Sequence, residues 1–326
     1  MIFSIVIPVY RNVESLQELI GELSGLQSRF HHTLGVSLEA VFVVDGNPDG
    51  SYEVLSRHLP SAPFPSKLLL HSRNFGSFAA VRSGLQAASG DYLGVMAADL
   101  QEPASLQEEF LTRLMTDDYD IVVGSRAGRD DPLFVRLASA AFWRLYRLIV
   151  SDAIPEGGVD VFACNRRFSA ELLQLPEANS SLIGLIFWLG FRRAEVLYRR
   201  RARAHGKSAW SLGRKVTYLL DSVFSFTDLP VRLLMVFGLL GVLVASLGGA
   251  VVFLARMLGG IPVPGYAATM LVILFFGALN SLGLGIVGSY AWRGFENTKR
   301  RPLAVVLKCS SIAGNGTPPR PDWQPL

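Results

Sequence analysis

From Leu233 to Ala255 the chain runs for 23 residues without a charged side chain, between Arg232 and Arg256. A helix of that length spans the ~30 Å hydrocarbon core of a bilayer. A second uncharged stretch, Ala267 to Trp292, follows the helix-breaking segment Gly259-Gly260-Ile261-Pro262-Val263-Pro264-Gly265. Together they predict a transmembrane hairpin over residues 229–293, with spans at 233–255 and 267–292. A buried helical hairpin is the competing reading, and two spanning lengths in succession weigh against it.

The basic residues orient this hairpin. Nine Lys or Arg and one acid, Glu195, lie between Arg192 and Lys215, and Arg293, Lys299, Arg300, Arg301 and Lys308 follow the second span. The connection holds Arg256 alone. By the positive-inside rule, both termini and everything before the spans face the cytoplasm. The expectation is a multi-pass membrane protein, a bacterial inner membrane being favoured. The net charge of +4 is small, and the basic block suits phosphate groups or an anionic membrane surface; no nucleic-acid partner is expected. Cys164 and Cys309 make neither a disulfide framework nor a zinc signature. The opening MIFSIVIPVY lacks a basic flank and a small-residue cleavage site, so it reads as a first strand rather than a signal peptide.

Before the spans, short apolar runs alternate with helical patterns. Strands are predicted at Phe3–Val9, Glu39–Val44, Lys67–His71, Tyr92–Ala98 and Ile121–Gly124, with helical periodicity over Val13–Leu26 and Phe78–Ala88. That alternation argues for a Rossmann-like α/β domain, a mostly parallel sheet with helices on both faces. Ligands of such sheets gather at the C-terminal ends of the strands. Asp45, Asp99 and Arg126 all fall there. Each alone can be a capping turn; all three together point to a site.

Several pieces resemble the GT-A glycosyltransferases of family 2: IVIPVYRN (5–12), VVDGNPDGS (43–51), SRNFG (72–76), GLQAASGDY (84–92), ADLQEP (98–103) and VGSR (123–126). Three later pieces, RARAHGKSAW (201–210), DSVFSFTDLP (221–230) and GSYAWRGFENTKRRP (288–302), resemble the polyprenyl-phosphate glycosyltransferases within that family. The resemblance implies inverting transfer of one sugar from a nucleotide sugar, a UDP-sugar by preference, to a polyprenyl phosphate. It implies a nucleotide pocket lined by Pro8, Tyr10, Glu14, Asp45, Ala97, Ala98 and Asp99. It also implies Mg²⁺ or Mn²⁺ on the donor diphosphate through Asp99, with Gln101 supplementing the shell. The family's usual first acid is Ala97 here, which leaves Asp99 as the lone carboxylate of that motif. On the acceptor side the resemblance implies phosphate binding by Arg126, Arg136, Ser139, Arg203 and Ser208. Asp160 matches an acid kept near the reaction centre, so the implied catalytic set is Asp99, Arg126, Asp160 and Arg203. Related enzymes make a homotetramer plausible.

The expected organisation is therefore a GT-A domain over residues 1–228, the hairpin over 229–293, and a basic segment with a disordered tail over 294–326, disorder beginning at Ser310. Amphipathic interface helices are expected near 137–150 and 215–226, and Arg199 to Arg201 read as solvated or headgroup-facing charges. Processive polysaccharide synthases share such a domain but carry a Q-x-x-R-W motif that this sequence lacks. A membrane scaffold built on a degenerate transferase domain is the non-enzymatic alternative.

Overall fold

A computed structural model describes residues 1–126, 158–177, 180–201, 212–258 and 265–315, together with 144, 147 and 153–155. It divides into two units, residues 1–215 with 302–326, and residues 216–301.

The first unit is built on one eight-stranded sheet. Its strands are β1 (Ile2–Val9), β2 (Ser37–Val44), β3 (Ser66–His71), β4 (Tyr92–Val95), β5 (Ile121–Arg126), β6 (Val159–Asn165), β7 (Arg193–Tyr198) and β8 (Val306–Ile312), in the order β7-β5-β6-β4-β1-β2-β3-β8. Pairings β4–β1, β1–β2, β2–β3 and β5–β7 are parallel; β6 pairs antiparallel with both β4 and β5, and β8 with β3. Six strands thus share one direction, and only β6 and β8 oppose it. Helices α1 (Leu16–Leu34), α2 (Ser51–His58), α3 (Ser77–Ala87), α4 (Ser105–Thr116), α5 (Arg166–Leu173) and α6 (Leu182–Trp188) connect or flank these strands.

Burial on both faces explains the near-continuous apolar strands. On one face Phe3, Ile5, Ile7 and Val9 join Leu19, Leu23 and Phe30 of α1 and Phe110 of α4 in one core. Phe3 meets Phe30 edge-on at 5.5 Å. On the other face α3 lies close enough that a β-carbon at Gly84 would stand 2.2 Å from Val6 Cγ1, which restricts that position to glycine. Replacing a core aromatic such as Phe3 by Ala costs about 3–5 kcal/mol.

β8 corrects the expected tail. Ser310 to Ile312 end a strand whose register with β3 runs from Val306 opposite His71 to Ile312 opposite Ser66. The open edge of β3 offers unpaired backbone groups, and such edges take up a strand when one is at hand.

The second unit contains helix α7 (Leu212–Phe226) from Val216 onward, α8 (Leu229–Met257) and α9 (Tyr266–Thr298). α7 covers the interface helix expected at 215–226; the one expected at 137–150 lies outside the described residues apart from Arg144 and Arg147, both helical. Asp221 pairs with Arg293 at 2.7 Å, Phe224 meets Tyr290 edge-on at 5.1 Å, and the Tyr290 hydroxyl donates to Thr227 O at 3.0 Å. The second predicted span falls in α9. Among the described residues one helix, α8, carries a stretch long and apolar enough to cross a membrane, Leu229–Val251. Its Leu239, Val244 and Val251 are all exposed.

Candidate active site

At one edge of the sheet the six co-directional strands end, and the opposing β6 begins. Pro8 lies near the end of β1 and Tyr10 in the loop that follows, both half-buried. Arg11 takes φ 57°, which turns the chain so that Tyr10 N donates to Asn12 Oδ1 at 3.1 Å. Ser15 Oγ donates to Ala98 O at 2.7 Å, and Val13 N donates to Asp49 Oδ2 at 3.1 Å. The loop is thereby tied to the segments after β4 and β2. Glu14 is exposed on the intervening turn.

Asp45 follows β2 and is 2% exposed. Its Oδ1 accepts from Phe75 N at 2.8 Å and from His71 Nδ1 at 2.9 Å, and its Oδ2 accepts from Gly76 N at 2.7 Å. His71 Nε2 stands 3.0 Å from Ser83 Oγ of α3. Gly46 has φ 73°, and a β-carbon there would stand 3.0 Å from Asn74 N, so the chain must be glycine where it leaves the carboxylate. One buried acid thus holds the whole Ser72–Gly76 loop. The residue that completes this arrangement, His71, was not singled out by the sequence.

Asp99 lies beyond the end of β4. Leu100 adopts φ 57°, a left-handed conformation that costs a non-glycine residue roughly 1–2 kcal/mol and is typical of functional turns. The reversal lets Gln101 N donate to Asp99 Oδ1 at 3.3 Å. Gln101 then makes a two-way contact with a distant segment: Arg201 N donates to Gln101 O at 2.8 Å, and Gln101 Nε2 donates to Arg201 O at 3.2 Å. This turns Arg200 inward, contrary to its expected place among solvated or headgroup-facing charges. Its Nη2 is 3.9 Å from Asp99 Oδ2 and its Nε 3.5 Å from Glu102 Oε1. Arg201, by contrast, points away to Glu22 at 3.8 Å.

The Glu102 side chain is 2% exposed, and among the described residues its Oε2 has no hydrogen-bond partner. Burial pushes its carboxyl up to about 7; the Asp99 charge pushes the same way and Arg200 opposes.

Arg126 ends β5 and Asp160 is the second residue of β6. Their side chains form a bidentate pair through Nε and Nη2, the latter 2.7 Å from Oδ1. Tyr198, the last residue of β7, donates its hydroxyl to Asp160 Oδ2 at 2.9 Å. Burial works against the Arg126 charge, but Asp160 more than offsets it and the guanidinium pKa ends above its usual value. Burial, reinforced by Asp160, also holds the Tyr198 phenol well above the ordinary range. Tyr198, Arg200 and Glu102 are members of the site that sequence reasoning missed; Glu102 lay in the quoted ADLQEP and Arg200 in the basic run.

The donors beside Asp99 are hard oxygens, one carboxylate and one amide carbonyl. Ala98 is buried, and the half-buried Ala97 contributes only a methyl. Among the described residues no three His, Cys, Asp or Glu side chains are grouped to hold a metal. Such a short set fits Mg²⁺ or Mn²⁺, which bind through one or two carboxylates and keep substrate phosphate and water in the remaining positions. Arg136, Ser139, Arg203 and Ser208 lie outside the described residues.

A mixed α/β sheet with acids and arginines at its strand ends defines a GT-A-like fold. Residues 4–174 match the model of glycosyl transferase family 2, and the chain belongs to that family. It is 31% identical over 304 residues to an uncharacterised glycosyltransferase of Synechocystis sp., covering 93% of this chain and 94% of that protein. It is 28% identical over 309 residues to the SfII prophage-derived bactoprenol glucosyl transferase of Shigella flexneri, covering 94% and 98%. Among solved structures it is similar to glucosyl-3-phosphoglycerate synthase from Mycobacterium tuberculosis in complex with Mn²⁺, UDP-glucose and phosphoglyceric acid. That likeness has a TM-score of 0.51 at 18% identity and covers 68% of this chain and 78% of that one.

Proposed function

We propose that this chain transfers a single sugar from a nucleotide sugar, UDP-linked by preference, to the phosphate of a polyprenyl phosphate, releasing the nucleoside diphosphate. The observation that carries this reading is the convergence of Asp99, Gln101, Arg126 and Arg200 at one sheet edge. The chain that bears them is similar along 94% of its length to a bactoprenol glucosyl transferase.

On the donor side, Pro8, Tyr10, Glu14, Asp45, Ala97 and Ala98 line the nucleoside pocket. Asp45 acts both by its remaining acceptor capacity and through the loop it anchors. Asp99 and Gln101 are the residues that would hold a divalent cation. When bound, that cation neutralises charge developing on the departing diphosphate.

On the acceptor side the nucleophile needs little activation. A phosphate monoester already carries about −1.5 to −2 charge at pH 7, so its oxygen attacks the anomeric carbon without a strong general base. What the protein must supply is orientation. Asp160 and Tyr198 hold Arg126 in one rotamer, leaving guanidinium N–H groups for phosphate, and Arg136, Ser139, Arg203 and Ser208 complete the cradle. Direct displacement inverts the anomeric centre. The apolar helices keep the enzyme in the membrane that holds its acceptor, with both termini and the catalytic domain in the cytoplasm. Assembly as a tetramer belongs to the same reading.

The test is transfer from labelled UDP-, GDP- and dTDP-sugars to undecaprenyl phosphate, with Mg²⁺, Mn²⁺ or EDTA. Lipid-linked label from one donor, lost in EDTA and lost in Asp99→Ala, is the expected result. Metal-independent transfer with full Asp99→Ala activity removes the role given to Asp99. Absence of nucleotide binding altogether leaves the scaffold alternative.

A further inference from the structure

The guanidinium of Arg200 stands where a second cation would be drawn. Asp99 Oδ2 is 3.9 Å from its Nη2, and Glu102 Oε1 is 3.5 Å from its Nε. The placement is built rather than incidental. Two hydrogen bonds between Gln101 and Arg201 fix the backbone on either side, and the Glu102 side chain is almost wholly buried. Arg200 itself is 28% exposed at its side chain, so its tip keeps room to move. A carboxylate that serves one cation at this distance serves a second only against their mutual repulsion.

We propose that Arg200 is the resident counter-cation of Asp99. It occupies the cation side of the site in the free enzyme, yields to the divalent ion, and turns its fork of donors to the donor's diphosphate. The inference rests on the reading of Asp99 as a metal-holding residue and adds a competitor for that metal. It makes metal and nucleotide binding cooperative through this chain's own residue, because the arginine released by one becomes a ligand for the other.

Full-length protein in detergent provides the test, with bound Mn²⁺ measured by electron paramagnetic resonance, first without nucleotide and then with saturating UDP. Arg200→Ala is expected to bind Mn²⁺ about tenfold more tightly than wild type without UDP, within the range usual for coupled ligands. The gain in Mn²⁺ affinity on adding UDP is expected to shrink by a similar factor. Arg200→Lys keeps the charge and restores part of the wild-type behaviour. Arg201→Ala, whose side chain points to Glu22, is expected to change neither quantity. Unchanged or weaker Mn²⁺ binding in Arg200→Ala overturns the proposal, as does an equal effect of Arg201→Ala. Failure of both wild type and Arg200→Ala to bind Mn²⁺ overturns it too. Transfer by wild type, followed in parallel with and without EDTA, shows whether the proposed function stands when this inference falls.

Discussion

Tyr198 donates its hydroxyl at 2.9 Å to the carboxylate of Asp160, which also grips Arg126 with both oxygens. The three residues come from β7, β6 and β5, adjacent in the sheet, and the pairing closes a partly exposed polar network where the parallel strands end. Removing the phenol hydroxyl leaves the ion pair but frees the carboxylate to rotate. Tyr198→Phe is expected to cost about 1 kcal/mol of stability, the usual worth of one such hydrogen bond. It should lower kcat for transfer with little change in donor KM. A loss confined to donor KM would move the network to the nucleotide side of the site.

Glu102 gives stability a pH dependence of known sign. Its folded-state pKa, about 7, lies above the ordinary 4.5. The protonated carboxyl is the form the fold favours. Its contribution is fully present below about pH 4.5 and is lost as the pH rises through about 7. Glu102→Gln has no proton to lose and should flatten this part of the profile. Thermal unfolding in EDTA at pH 5 and pH 8 checks it: the wild-type difference should narrow in the variant, and an equal difference in both proteins refutes it.

His71 is 1% exposed and spans Asp45 and Ser83. Replacing it by Ala leaves a cavity and strips a donor from a buried carboxylate, for a combined loss of roughly 2–4 kcal/mol. The Ser72–Gly76 loop should loosen with it. In variant protein that still folds, donor KM should rise while acceptor KM stays near wild type. Steady-state kinetics with each substrate varied in turn separates the two.

Arg203→Ala is expected to raise KM for the lipid phosphate by about tenfold or more, the loss of one charge-assisted phosphate contact. On the proposed reading Arg203 serves the acceptor alone, so UDP binding, followed by calorimetry, should remain within about twofold of wild type. Equal loss of both affinities assigns Arg203 to the donor instead.

The sequence by itself determined what depends on neighbours along the chain. Runs such as Ile2–Val9 and Ser37–Val44 are strands because they are mostly apolar and rich in branched residues, and bounded by turns. The 23 uncharged residues after Arg232 are a helix because no other structure satisfies so much backbone in an apolar setting. Asp45 could be placed at a strand end because it follows β2 directly; Asp99 was placed at the end of a strand expected to reach Ala98, whereas β4 stops at Val95 and Asp99 stands four residues beyond it. Local pattern gave no warning of contacts made across the fold. Gln101 and Arg201 are 100 positions apart, and only their pairing turns Arg200 from one charge in a basic run into the partner of Asp99. Tyr198 carries no mark in the sequence, and gains its role only when β5, β6 and β7 lie side by side. Likewise the last turn-rich segment reads as a tail until β3 presents an edge for Val306–Ile312 to complete. Periodicity and turn chemistry are local and survive in one dimension; the partner of a buried charge is chosen by the sheet order, which exists only after folding.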